Sequence, residues 1–147
     1  MPRARGFTLF EMLAVILLIA LIAGAVAIPI SQGLASARVN AASGELAAAL
    51  RWTRAQAIVK GEEQALEVDT ANGTYQAPGR PAGHLPQGMK LGLTSAREDN
   101  VNDHTGRIRF FPDGSSTGGR ITLQRGQRQW HVNVSWLTGA VAVVDTK

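Results

Sequence analysis

Residues 1–30 read MPRARGFTLFEMLAVILLIALIAGAVAIPI, and this stretch decides how the remainder of the chain is organised. Arg3 and Arg5 precede an apolar run from Phe7 to Ile28 that is interrupted only by Glu11. As a helix, such a run spans roughly 33 Å, about the thickness of a bilayer's hydrocarbon core. Arginines on its N-terminal side favour a cytoplasmic N-terminus with the rest of the chain outside. Three readings compete. An ordinary secretory signal would use Ala25-Val26-Ala27 as its A-x-A cleavage site. A plain membrane anchor would keep the run as a span. Both leave Glu11 unexplained, because an ionised carboxylate in a lipid-facing helix costs roughly 3 kcal/mol unless something pairs with it. The third reading gives Glu11 a task.

Gly6-Phe7-Thr8-Leu9-Phe10-Glu11 resembles the class III signal of type IV pilins and type II secretion pseudopilins. The resemblance implies that a prepilin peptidase cuts between Gly6 and Phe7 on the cytoplasmic face, methylates the new N-terminus at Phe7, and leaves the apolar helix in place. It also implies an assembly role for Glu11, which pairs with the N-terminal ammonium of a neighbouring subunit. Phe10 departs from the aliphatic residue more usual before that glutamate and leaves the signal readable.

The chain has 147 residues, enough for one domain, and Lys plus Arg exceed Asp plus Glu by 15 to 11. The absence of cysteine excludes a disulfide framework, a thiolate zinc site and a cysteine nucleophile. Past Pro29, residues Ala35, Val39, Ala42, Leu46, Leu50, Thr53 and Ala57 recur at spacings of three and four, with Arg38, Glu45 and Lys60 off that stripe. Gly61 is a fitting C-terminal stop. The pattern predicts one long helix from about Phe7 to Lys60. Short β-type runs follow: Ala65–Val68 and Thr74–Ala77 around the turn dipeptide Asn72-Gly73, then Lys90–Leu93, Arg107–Phe111, Arg120–Gln124, Gln129–Val134 and Ala140–Val144. Residues 78–88 and 95–106 read as irregular. The expected fold class is α+β and pilin-like, with a long N-terminal helix packed on an antiparallel sheet or small sandwich. The expected division is a leader at 1–6, a transmembrane and assembly helix at 7–30, an amphipathic helix half at 31–61 and a periplasmic β-domain at 62–147.

Catalytic patterns are weak. Gly114-Ser115-Ser116-Thr117-Gly118 matches the G-x-S-x-G nucleophile elbow. That elbow needs a helix after it and then an acid and a histidine, whereas a strand-type run follows and no histidine comes after Asp145. A hairpin loop is the expected reading. His84, His104 and His131 have no metal-ligand spacing. Asp99-Asn100-Val101-Asn102-Asp103 is oxygen-rich but lacks the glycine and distal glutamate of an EF-hand loop, and reads as a solvated polar loop. Arg107, Arg109, Arg120, Arg125 and Arg128 could form a phosphate-binding patch. The favoured reading is the solvated face of a sheet. Trp52, Trp130 and Trp136 read as packing anchors. The expectation is a protein that is not an enzyme and has neither cofactor nor metal.

Downstream motifs narrow the resemblance. Leu46–Val68, the turn Leu85-Pro86-Gln87-Gly88-Met89, the run Ile108–Ser116 followed by Gly118–Leu123, and Trp136–Val141 are similar to segments of the GspH/FimT group of minor pilin-like proteins. The resemblance implies a minor pseudopilin of a type II secretion system, held in the inner membrane as a single-pass protein with its C-terminal domain in the periplasm. Its implied partners are other pseudopilins (the major one and the minor tip subunits), the prepilin peptidase and the inner-membrane secretion platform. Nucleic acid and small-molecule substrates are not expected. The rival is a FimT-like minor pilin of a type IV pilus, with DNA uptake as its job.

Overall fold

The structure is a computed structural model. Its described residues are 8–96 and 99–146, without the side chains of 25–36 and 145–146. Helix α1 runs from Leu9 to Lys60, 52 residues in all, and continues through Pro29. It ends where Gly61 takes φ +66, the left-handed conformation that terminates helices at little cost to glycine. The chain divides into two compact units, Met1–Ala37 and Arg38–Lys147.

Within the second unit, the expected stripe is the buried face of α1. Val39, Ala42, Leu46, Leu50, Thr53 and Ala57 are all buried, joined by Ser43, Ala47 and Ala49. The side chain of Ala35 lies outside the described residues. Many of these residues are small, which lets sheet side chains approach the helix axis closely. The two buried hydroxyls bond to the preceding turn, Thr53 Oγ1 donating to Ala49 O at 2.9 Å and Ser43 Oγ to Asn40 O at 3.0 Å. Neither leaves a polar atom stranded.

Eight strands follow in two antiparallel sheets. The first comprises β1 (Gln64–Asp69), β2 (Thr74–Gln76), β3 (Gly83–His84) and β5 (Thr105–Phe110) in the order β3-β2-β1-β5. The second comprises β4 (Lys90–Thr94), β6 (Gly119–Arg125), β7 (Arg128–Val134) and β8 (Val141–Thr146) in the order β4-β6-β7-β8. Alternation decides which side chains go inside. Leu66, Val68, Ile108 and Phe110 from the first sheet, and Ile121, Leu123, Trp130, Val132 and Val134 from the second, join the helix stripe in one core. The turn at Asn72-Gly73 forms as expected: Gly73 has φ +63, and the Asp69 carboxylate accepts from Ala71 N at 2.9 Å and Asn72 N at 3.0 Å. Strand β3 was not expected. It exists because Gly83 lies against the Tyr75 ring, where a Cβ has no room.

The loop between β5 and β6 folds back on the end of β5. Thr117 N donates to Arg109 O at 3.0 Å, and Phe110 pairs with Ser116 in an isolated bridge.

Candidate functional site

The apolar segment and its carboxylate come first. Thr8 caps α1: its Oγ1 accepts from Glu11 N at 3.3 Å, and its carbonyl accepts from Met12 N at 3.2 Å. Glu11 therefore occupies the third helical position of a Thr-x-x-Glu capping pattern, of which the Thr8 half is formed, and there a carboxylate complements the positive end of the helix dipole. Thr8 was not singled out from sequence, although that four-residue pattern was available to reveal it. Every large apolar side chain from Leu9 to Ile22 is exposed, on all faces of the helix, up to 83% at Leu9 and Phe10. Glu11 is exposed among them. Gly6 and Phe7 lie outside the described residues. Among the described residues, no helix is long and apolar enough to cross a membrane. Of the span expected over Phe7–Ile28, Phe7 and the side chains of residues 25–28 lie outside the described residues.

The arginine cluster does not form one patch. Arg107 and Arg109 stand on β5 in the first sheet, whereas Arg120, Arg125 and Arg128 belong to β6 and β7 in the second. Arg109 is committed inside the fold. Its Nε binds Asp99 Oδ1, and its Nη1 lies 3.6 Å from Glu63 Oε1. Asp99 is fully buried and Arg109 is 27% exposed by side chain. The hydrogen bond that Arg109 donates to the Asp99 carboxylate pushes the Arg109 pKa above its ordinary value. This corrects the reading of 99–103 as a solvated loop at Asp99 alone, residues 100–103 being exposed: Asp99 is an internal ion-pair partner, and among the described residues its Oδ2 has no hydrogen-bond partner. Arg120 Nε donates to Asn133 Oδ1 at 2.8 Å across the β6–β7 ladder. Among the described residues, no group of three or more His, Cys, Asp or Glu side chains is placed to hold a metal ion.

The G-x-S-x-G segment is a loop between β5 and β6 with an internal job. Ser116 is buried, donating its Oγ hydrogen to Ser135 O at 3.0 Å while Oγ accepts from Gly118 N at 2.9 Å. His84 and His104 are exposed; His131 Nδ1 is hydrogen-bonded with Thr122 Oγ1 at 3.1 Å. Of the three tryptophans, Trp130 lies in the core, and half-buried Trp52 donates Nε1–H to Pro78 O at 3.0 Å with the Arg80 guanidinium 4.3 Å above its ring. Trp136 is not a packing anchor. It is 68% exposed, because it sits at the tip of the β7–β8 hairpin rather than in a strand.

The profile of one family, Type II transport protein GspH, matches residues 42–139, and the prokaryotic N-terminal methylation motif matches residues 1–27. Type II secretion system protein H of Xanthomonas campestris pv. campestris is 42% identical over 137 residues, which make up 93% of this chain and 81% of that protein. Among solved structures, the minor pseudopilin EpsH from the type 2 secretion system of Vibrio cholerae superimposes with a TM-score of 0.56 at 13% identity. The superposition covers 72% of this chain and 95% of that one, and shows a shared fold.

Proposed function

Since the chain belongs to the GspH family of type II transport proteins, we propose that it is a minor pseudopilin, a structural subunit near the tip of a type II secretion pseudopilus that helps export folded proteins across the outer membrane. In this reading residues 1–6 are a leader, and prepilin peptidase cleaves between Gly6 and Phe7 and methylates Phe7. Residues 7–30 hold the protein in the inner membrane as a single span, 31–61 continue as the amphipathic half of the helix, and 62–147 form a periplasmic β-domain. Its partners are the other pseudopilins and the inner-membrane platform. Its work is assembly rather than catalysis, and Glu11 is the assembly residue.

One observation carries the reading: a methylation motif over residues 1–27 opens a helix whose large apolar side chains from Leu9 to Ile22 are all uncovered. A helix apolar on every face needs an apolar surrounding. Lipid supplies it before assembly, and sister helices supply it afterwards. The test is the intact mass of the membrane-extracted protein, expected to lack residues 1–6 and to carry one extra methyl group. Gly6→Val should abolish both changes, because a bulky residue blocks the cut. An N-terminus beginning at Ile28 would establish an ordinary secretory signal and overturn the reading.

A further inference from the structure

The hairpin between β7 and β8 closes tightly on itself, Gly139 N donating to Ser135 O at 2.8 Å and Ser135 N to Ala140 O at 2.9 Å. Its two largest side chains contribute little to the core, Trp136 being 68% and Leu137 64% exposed. The hairpin is braced from behind. A Cβ on Gly139 would run into Gly114 O and the Arg54 side chain, and one on Gly118 would come within 3.3 Å of the Trp136 backbone. The tip is therefore packed against the β5–β6 loop and the helix. An aromatic side chain on such a braced tip has little backbone freedom left to lose on binding, and tryptophan is enriched among the residues that dominate interfaces.

Ile58 of α1, half-exposed, lies beside Gly114 of the loop that braces this tip, where a Cβ would stand 3.3 Å from its Cδ1. Four and seven residues earlier on the same helix face stand Arg54 and Arg51. Arg54 Nε donates to Gly114 O at 2.9 Å, and Arg51 Nη2 to Val141 O at 3.1 Å. Both acceptors are neutral, and among the described residues neither guanidinium is ion-paired with a carboxylate. Asp113, in the adjacent loop, is occupied by its own neighbour, accepting from Ser115 N at 2.9 Å and Ser115 Oγ at 2.6 Å. The surface is thus apolar at its tip and positive along one flank.

We propose that Trp136, Leu137 and Ile58, flanked by Arg51 and Arg54, dock a carboxylate-bearing amphipathic segment from the globular domain of a neighbouring, different pseudopilin. The inference rests on the reading of the chain as a fibre subunit. Charge complementarity selects an acidic segment. A braced tip suits one constant partner, whereas a surface serving many exported proteins calls for flexible, repacking side chains. Two arginines are fewer than the cluster of about four to eight basic residues that recognises an anionic bilayer.

The test uses the full chain in its native membrane, with a photo-crosslinking phenylalanine analogue in place of Leu137. The expected adduct is a peptide of another pseudopilin containing Asp or Glu. An adduct to phospholipid, to a second copy or to an exported protein overturns the proposal, as does the absence of any adduct. In parallel, Trp136→Ser/Leu137→Ser should lower recovery of co-purified pseudopilins by about tenfold, the scale of a lost hot spot. Arg51→Glu should lower it too, whereas Val101→Ser, an exposed apolar change in a separate loop, should not. Unchanged recovery by the double variant refutes the docking surface while leaving the pseudopilin reading intact. Failure of the unaltered protein to co-purify with any pseudopilin refutes both. Thermal melting of each purified variant in detergent distinguishes a lost surface from a lost fold.

Discussion

Glu11 can be altered in two ways that separate its contributions. Glu11→Gln keeps a side chain able to complete the capping box with Thr8, whose Oγ1 lies 3.3 Å from the backbone N of residue 11, but removes the charge. Glu11→Leu removes both. Loss of the box costs about 1 kcal/mol of local helix stability at most, because the Thr8 hydroxyl still accepts its bond. The charge matters more. At about 4 Å and an effective dielectric of about 20, a carboxylate and an ammonium attract by about 4 kcal/mol. Desolvation on burial between packed helices takes back much of that. A net gain of about 1.4 kcal/mol, tenfold in subunit association, is a reasonable remainder. Both variants are therefore expected to be cleaved and inserted normally, Glu11→Leu at least as well as the unaltered protein. Both should also show about tenfold weaker co-purification with other pseudopilins and reduced exoprotein release on complementing a deletion strain. Full recovery with Glu11→Gln would refute the charge argument. Recovery with Gln but not with Leu would assign the residue to helix capping instead.

The remaining predictions concern the domain. Arg109→Met should destabilise it by about 3–5 kcal/mol, because it strands the fully buried Asp99 carboxylate, whereas Asp99→Asn should cost less, since Arg109 keeps both solvent and Glu63; chemical denaturation of the two variants side by side would expose the asymmetry, and equal losses would contradict it. Ser116→Ala should cost about 1–3 kcal/mol in the same assay by leaving Gly118 N short of its acceptor, while Ser135 O keeps the bond from Gly139 N, with secretion retained wherever the protein stays folded. Bonds from Asn72 hold the Asp69 carboxyl below its ordinary value near 3.8, and the Ser115 hydroxyl does the same for Asp113. Depressed carboxyl pKa values stabilise the fold above the ordinary carboxylate range and lose that contribution as the pH falls through the folded-state values. The melting temperature should accordingly hold from neutral pH down to about 5 and decline below about 4.

The helix and strands were legible because each is written in a local period. Val39 to Ala57 repeat at three and four, and that stripe is the buried face of the helix; in the strands, the buried residues Leu66 and Val68, Ile108 and Phe110, and Ile121 and Leu123 stand two apart. What was hidden depends on partners far away in sequence. Nothing local to Arg109 says that it meets Asp99 through a loop rather than facing water beside Arg120. Nothing near Arg51 announces the Val141 carbonyl, 90 residues on. The reading of five arginines as the solvated face of one sheet failed for the same reason: adjacency in the strand list is not adjacency in a sheet, and β5 pairs with β1 while β6 pairs with β4 and β7. Trp136 misled because size alone suggested burial, although the turn residues Thr138 and Gly139 beside it marked a hairpin tip.

Helix α1 changes character along its length, and this constrains how an assembled state can be selected. From Val39 onward one face is buried and the other is polar, so the domain itself consumes the apolar surface. From Leu9 to Ile22 the large apolar side chains are exposed on all faces, with Glu11 the one charge among them. Surrounding that segment with sister helices instead of lipid changes its apolar environment little, because acyl chains are about as apolar as leucine and isoleucine side chains. Hydrophobicity therefore commits the segment to a dry environment without choosing between bilayer and fibre. The choice falls to the features that the two environments treat differently. Within the segment that is Glu11, costly in lipid and compensated beside a cation. In the domain it is the Trp136–Leu137 tip with its arginine flank, which gains only when a complementary surface arrives. On the proposed reading, two such selective groups would let a subunit remain in the bilayer without aggregating through its indifferent apolar segment, and would favour joining only where both find partners.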